Sequence, residues 1–528
     1  MASIYDVVII GGGHNGLVAA AYLAKAGKKV KVLERRHIVG GAAVTEEFHP
    51  GFRNSVCSYT VSLLNRKVVE DLGLYGHGLR IIERPLPNFL PLGDQGYLKS
   101  FSNSQKMFDE VARHSPEDAK QLADYGRVIS KLANVLKTFV LETPPNVSGG
   151  ICELWKLWKG ARRFQGLTLE DQRDFTDIMT MSAAGFLARW FKSEAVTALF
   201  AFDGIVGTLS SPYQPGTAYV LLHHCFGDVM ETPGAWGHAI GGMGAITQAM
   251  AKAAADAGVD IEVSAPVSEV LVTNGRASGA RLEDGREIQA RAVAANVGPK
   301  LLFSKLLDPV HVPPEFSTRM ENFKCCSGTF RMNVALRELP DFTCIPGKHL
   351  QEHHQAGVIM APSMRYMEQA YRDAIDFGWS RRPIVEMLIP STIDDTLAPE
   401  GSHVASLFCQ HFNPNVPDGR SWDECRDEAA EAILNTVNDH APNFHQSVIA
   451  TQILSPLDLE REFGLTGGDI FHGSLDLNQI FTARPTLGHA DYRMPLKGLY
   501  LCGSGGHPGG GVTGAPGHNA AREMLRDL

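Results

Sequence analysis

The chain opens on a strand–turn–helix–strand unit, and nothing else in its 528 residues limits the fold as tightly. In YDVVIIGGGHNGLVAAAYLAKAGKKVKVLER, residues 5–35, the apolar β-branched run at 7–10 predicts a strand buried on both faces of a parallel sheet. Gly11, Gly13 and Gly16 follow with the spacing G-x-G-x-x-G. An alanine-rich helix then runs to about residue 26, Gly27 stops it, and a second strand over 29–33 ends in Glu34. The first glycine makes the tight turn, the second lets a diphosphate approach the backbone, and the third lets helix and strand pack closely. The free N–H groups and positive dipole end of the helix then face the phosphates. Glu34 is placed to accept hydrogen bonds from an adenosine ribose and would repel a 2′-phosphate, which disfavours NADP. A glycine triplet alone would predict only a turn. The full order of strand, glycines, helix, strand and acid predicts a dinucleotide site and leaves NAD and FAD both open.

Composition sets wider bounds. With 44% hydrophobic and 20% charged residues and a formal net charge of -9, the chain reads as globular and offers no basic face for nucleic acid. Its length exceeds what one hydrophobic core serves, so two or more lobes with room for a sizeable interior cavity are expected. The nine cysteines are scattered without a C-x-x-C pair or metal-ligand spacing and read as reduced, mostly buried thiols. No run approaches the ~18 consecutive apolar residues of a membrane span. A motif under way by residue 5 leaves no room for a signal or transit peptide, so a soluble cytoplasmic protein is expected.

A second glycine cluster closes the chain. Eight of the fifteen residues 503–517, GSGGHPGGGVTGAPG, are glycine, a density that needs backbone turning sharply and lying close to something. A buried strand over 498–501 runs into this cluster and a helix from about Pro516 leaves it, with proline near the first turn where its missing N–H costs nothing. Between the two ends, Gly241-Gly242-Met243-Gly244 opens a helix over 245–257. The preceding ETPGAWGHAI carries proline and glycine in place of a buried strand, so a second dinucleotide site is not expected. Strands are predicted over 260–263, 267–274, 277–283 and 291–297, joined by the turns TNGR and EDGR.

Gly40-Gly41, soon after Glu34, completes an order of fingerprint, acid and Gly-Gly that resembles FAD enzymes of the amine oxidase and phytoene desaturase superfamily. The head, the segment GGDIFHGSLDLNQIFTARP (467–485) and the glycine-rich tail look like its phytoene-dehydrogenase-related branch. The resemblance implies FAD and an α/β fold. A discontinuous Rossmann-like FAD-binding domain (1–65, 230–300 and 486–528) would carry a second α+β substrate or cap domain (66–229 and 301–485). It further implies cofactor contacts at Gly11, Gly13, His14, Asn15, Gly16, Glu34, Arg35, Gly40, Gly41 and Ala42. Others would fall at Ser58 and Tyr59 near the flavin ring, Val267 on the adenine side, Asn296, Gly503 on the pyrophosphate, and Gly511 and Val512 against the flavin. Amides at the start of the last helix would stabilise negative charge on reduced flavin. Residues 66–230 and 301–460 carry no motif that can be assigned.

The activity so implied passes hydride from a C–H bond of a largely apolar organic substrate to flavin N5, with oxygen or a quinone as electron acceptor. A flavin amine oxidase, a reduced-flavin isomerase and a non-enzymatic, FAD-stabilised assembly or chaperone-like protein are the alternatives. Against the amine oxidase, Gly503-Ser504-Gly505 stands where many of those enzymes carry a glutamate after Ala-Gly. His507 and His472 are the candidate catalytic residues, against turn chemistry at His507 and a buried, hydrogen-bonded structural role at His472. His223-His224 lie in an apolar helical run, where they either pack or face a second-lobe cavity. Cys325-Cys326 are adjacent and far from the fingerprint helix, and read as core thiols instead of a redox pair. Residues 151–164, ICELWKLWKGARRF, interleave Trp155, Trp158 and Phe164 with Lys156, Lys159, Arg162 and Arg163. That pattern suits an interfacial helix in peripheral contact with a membrane, and an ordinary cap-domain helix as well.

Overall fold

The structure, a computed structural model, describes residues 4–93, 96–146, 150–227 and 235–528. Tyr5–Ile10 forms a strand paired in parallel with Val30–Leu33 on one side and with Glu287–Ala295 on the other. Asp260–Glu262 extends the sheet past Val30–Leu33, and Leu499–Leu501 pairs in parallel with residues 293–295. Segments nearly the whole chain apart thus share one sheet, with Val267–Thr273 and Arg276–Leu282 added as antiparallel strands. The apolar run at 7–10 is continuous because both its faces are covered. Val7 and Ile9 pack under the helices His14–Lys25, Gly244–Asp256 and Ala515–Asp527, while Val8 and Ile10 meet Leu302, Phe303, Phe316 and Phe323 on the other side.

The strands expected at 260–263, 267–274 and 277–283 are present within a residue at each end, and the one expected from 291 begins at 287. Val68, Val69, Leu72, Leu74 and Leu79 belong to the first of these cores and residues 302–323 supply much of the second. The core of this lobe therefore runs past the boundaries expected at residues 65 and 300, because short helices beyond each point cover sheet faces that would otherwise be wet. The boundary expected at 229/230 lies outside the described residues, as do residues 231–234 ahead of the glycine run at 241. That run does open a helix, but Met243 N–H donates to Ser55 Oγ (2.9 Å) and Gly244 N–H to Thr45 Oγ1 (2.9 Å), so protein hydroxyls occupy its start.

The second layer is a seven-stranded sheet in the order Val448–Leu454, Thr329–Leu336, His403–Gln410, Ile384–Leu388, Gly357–Met360, Asn88–Pro91 and Tyr97–Lys99. All eight residues of TFRMNVAL are buried. One face of this sheet packs against the helix Trp422–His440, the other against helices drawn from 104–223. Two charged residues, Arg331 and Glu386, sit in the middle of these apolar strands.

Candidate active site

A cavity of about 530 Å³ lies where the two lobes meet. At the first-lobe end it is walled by the turn that follows the first strand. Gly11 stands at φ +98°, a conformation open to glycine at little cost, and its N–H donates to the Leu33 carbonyl (2.8 Å). A Cβ on Gly13 would lie 2.8 Å from Asn296 Nδ2, so only a bare backbone fits between Asn296 and the cavity. The first N–H groups of His14–Lys25 have no side-chain cap, and Asn15 Oδ1 is buried without a partner while its Nδ2 donates to Ser504 Oγ (3.0 Å). An uncapped helix start beside an open space is a cradle for an anion. Glu34, only 6% exposed, accepts from Gly12 N–H (2.8 Å) and Arg36 N–H (2.9 Å), one bond to each oxygen. Each oxygen keeps a lone pair for a ligand hydroxyl.

The second-lobe end is built around Tyr59. Its ring stacks on Phe408 with centroids 4.7 Å apart, and the Arg331 guanidinium lies 5.0 Å from its centroid. Its hydroxyl donates to Glu386, which is 1% exposed, and Arg84 donates to the neighbouring Thr60 hydroxyl. Burial outweighs the attraction of Arg84 and Arg331 and holds the Glu386 carboxyl above the usual carboxylate range. Burial, with Glu386 nearby, pushes Asp203 up to about 7. Val206, Ile470 and Phe471 complete an apolar wall. Glu386, Arg331, Arg84 and Asp203 all come from stretches without a recognisable motif. The signal available was a charged residue inside an apolar strand, as in IVEML and TFRMNVAL.

A profile of the family described as "Flavin containing amine oxidoreductase" matches residues 16–329, more than half of the chain. The chain belongs to this flavin-containing amine oxidoreductase family. It is 39% identical to the Rattus norvegicus "Pyridine nucleotide-disulfide oxidoreductase domain-containing protein 2" across 99% of this chain and 94% of that protein. It is 23% identical to one of the limonene dehydrogenase subunits of Castellaniella defragrans across 99% of this chain and 95% of that one. The solved structure of cyclohexylamine oxidase from Brevibacterium oxydans IH-35A shares the fold, with a TM-score of 0.58 at 16% identity covering 100% of both chains. The protein is an FAD-dependent oxidoreductase. Its residues suit that cofactor: an uncapped helix start for the phosphates, unpartnered Asn15 Oδ1 beside it, and an acid with free lone pairs at the end of the second strand.

In this flavin enzyme Gly11, Gly13, His14, Asn15, Glu34, Arg35, Gly41, Ala42, Ser58, Tyr59, Val267, Asn296, Gly511, Val512 and His472 all line the cavity. Gly16, Gly40 and Gly503 do not; they shape its wall from behind. A Cβ on Gly16 would lie 2.4 Å from the Gly11 carbonyl, one on Gly40 2.8 Å from the Ala43 carbonyl, and one on Gly503 2.9 Å from the Asn296 carbonyl. The last helix also stops short. Ala515 N–H donates to Thr513 Oγ1 (3.0 Å), and it is Gly511 and Val512, not the helix amides, that reach the cavity. His507 departs furthest from expectation. The Tyr492 hydroxyl donates to its carbonyl (2.8 Å), and its Nε2 lies 2.9 Å from the Phe139 carbonyl, so the ring is held in a second cavity and away from the first.

His224 lines the cavity with Nδ1 2.9 Å from the Val220 carbonyl, while His223, with Nε2 3.3 Å from the Gly510 carbonyl, packs behind it. Burial pushes Cys326 up to about 12 and Cys325 higher still, and both are free thiols, which leaves no thiolate for disulfide exchange. Trp155 and Trp158 are 59% and 52% exposed. Among the described residues no helix is long and apolar enough to cross a membrane.

Burial lowers His14, His224, His472 and His507 to about 4 each, with His472 adding to the effect at His14. All four are neutral at pH 7. An unfolded histidine binds its proton near 6.5, so between about 6.5 and 4 the unfolded chain takes up protons that the folded chain refuses. Stability is therefore expected to be greatest above pH 6.5 and to fall steadily down to pH 4. Urea unfolding midpoints measured across that window test this, and a flat profile would contradict it.

Proposed function

We propose that this oxidoreductase removes hydride from a C–H bond of a largely apolar substrate held between Tyr59, Phe408, Ile470 and Phe471. The observation that supports this reading is the distribution of charge around the cavity. Its two carboxylates, Glu34 and Glu283, both lie at the first-lobe end, and among the described residues none lines the second-lobe end where a protonated amine would need a partner.

In this reading Glu34 holds the ribose of FAD, the start of His14–Lys25 holds the diphosphate, Val267 borders the adenine, and Gly511 and Val512 lie against the flavin ring. Bound FAD supplies the two-electron acceptor, and the protein supplies position and a dry site. Burial and Glu386 hold the Tyr59 phenol well above its ordinary pKa, so Tyr59 keeps its proton. It acts as a fixed aromatic wall, anchored by its hydroxyl, and not as a base. Hydride removal leaves an electron-poor carbon, which an adjacent double bond or hydroxyl on the substrate stabilises. In this reading the neutral imidazole of His472, which lines the cavity, takes up the proton then released, from such a hydroxyl or from the carbon next to the electron-poor one. Oxygen or a quinone then reoxidises the enzyme.

Anaerobic mixing of the purified holoenzyme with apolar alkenes, alcohols and amines tests the reading through the visible flavin absorption. Bleaching by an alkene or alcohol is expected, with recovery on adding oxygen or a quinone. Bleaching by amines alone would overturn the apolar reading, and product formation only on prereduced enzyme would assign an isomerase.

A further inference from the structure

We propose that the cavity holding His507 is a separate binding site for a single-chain amphiphile with an anionic head, a long-chain carboxylate. Its volume is about 470 Å³, within the roughly 300–1,000 Å³ of small-molecule sites. The interior is apolar, formed by Leu136, Phe139, Phe164, Phe175, Met179 and Phe226. The charges in its wall are unbalanced: Lys156, Lys159, Arg522 and Arg526 face one acid, Glu142. Lys159 and Arg526 are more than half exposed, which places these cations at the entrance. Lys156 and Arg526 also meet Glu153 (2.5 Å) and Glu523 (2.5 Å), whereas the acid nearest Lys159 is Glu142 at 4.0 Å, the edge of ion-pair range.

An apolar interior behind a cationic entrance complements a chain bearing one negative charge. An uncharged ligand would leave Lys159 without a close partner, and a short anion would leave the interior wet. Trp155, in the same wall and exposed on its other side, lies beside this entrance as amphipathic side chains do where an apolar surface meets water. The site is not an arm of the flavin cavity. Tyr219, Phe226 and Ile480 on its side pack with Ile470 and Phe471 on the other as one cluster that closes the passage between them.

The test uses the holoenzyme and a fluorescent long-chain polyene carboxylate, with the alcohol of the same chain as the uncharged probe. Gly160 lines the cavity on an ordinary helical backbone, and a Cβ there would meet only Phe139, at 3.5 Å, so Gly160→Leu fills the space without straining the chain. The wild type is expected to bind the carboxylate roughly tenfold or more tighter than the alcohol, and Lys159→Glu to erase most of that preference. Gly160→Leu is expected to weaken both probes at least about tenfold while leaving the visible flavin spectrum unchanged, which separates this site from the flavin cavity. Equal affinity for both probes in the wild type, or full affinity in Gly160→Leu, would overturn the proposal. So would protein that sediments with anionic vesicles yet binds no dispersed carboxylate, since the cations would then serve a membrane surface.

Discussion

Glu386→Ala is expected to cost about 1–3 kcal/mol of folding stability, the scale of leaving a buried donor without its acceptor. Glu386 is the carboxylate that Tyr59 donates to, and its charge acts on Arg84 and Arg331, which are buried with it. Solvent screening, which reduces surface pairs to near nothing, does not operate there. Without Glu386 the Tyr59 hydroxyl loses its acceptor, and Arg84 Nη1 and Arg331 Nη1, already without hydrogen-bond partners, gain none. Glu386→Gln should lose less, because the amide oxygen still accepts from Tyr59. Urea unfolding at pH 7.5, with FAD at saturation, checks both variants; a loss below about 1 kcal/mol for Glu386→Ala would mean that Tyr59 does not depend on Glu386 as its acceptor.

Gly511→Val is expected to strip FAD while leaving most of the fold in place. Gly511 stands at φ +95°, where a β-branched residue pays strain of about 1–3 kcal/mol, and a Cβ there would lie 2.5 Å from Leu63 Cδ1. Leu63, Gly511 and Val512 all line the cavity. Either the leucine tip swings into the space the flavin ring occupies or the 511–512 backbone moves into it, and both displace the cofactor. Gly401→Val is the matched control: its φ is +77°, no atom lies within 4 Å of the added Cβ, and it does not line the cavity, so it carries the backbone strain alone. FAD content after dialysis should fall at least about tenfold in Gly511→Val and stay at the wild-type level in Gly401→Val. Equal retention in both would mean that the tail does not touch the cofactor.

The parts of this protein that can be read from the chain alone are those whose cause is local. The head from residue 5 to Glu34 forms its strand, turn and helix from contiguous residues, and its glycines have stereochemical roles that survive in any context. They are therefore legible, and Gly11, Gly13, Asn15 and Glu34 all line the cavity. The tail is legible for the same reason, since eight glycines in fifteen residues have few explanations. Which of those glycines border the cavity and which, like Gly16, Gly40 and Gly503, support it from behind is settled only on folding. That depends on what each missing Cβ would strike, and the obstacles at Gly40 and Gly503 include atoms from distant segments, Thr247 and Asn296. The same limit hides the second-lobe end. Tyr59 and Glu386 are 327 residues apart and lie on different elements, so no spacing joins them. The direction of His507 is likewise set by contacts that sequence does not encode locally, the hydroxyl of Tyr492 and the carbonyl of Phe139 at the end of a long helix. Motifs record what a backbone must do within one turn, whereas the placement of a side chain across two lobes is fixed by packing between segments that meet only once the chain has folded.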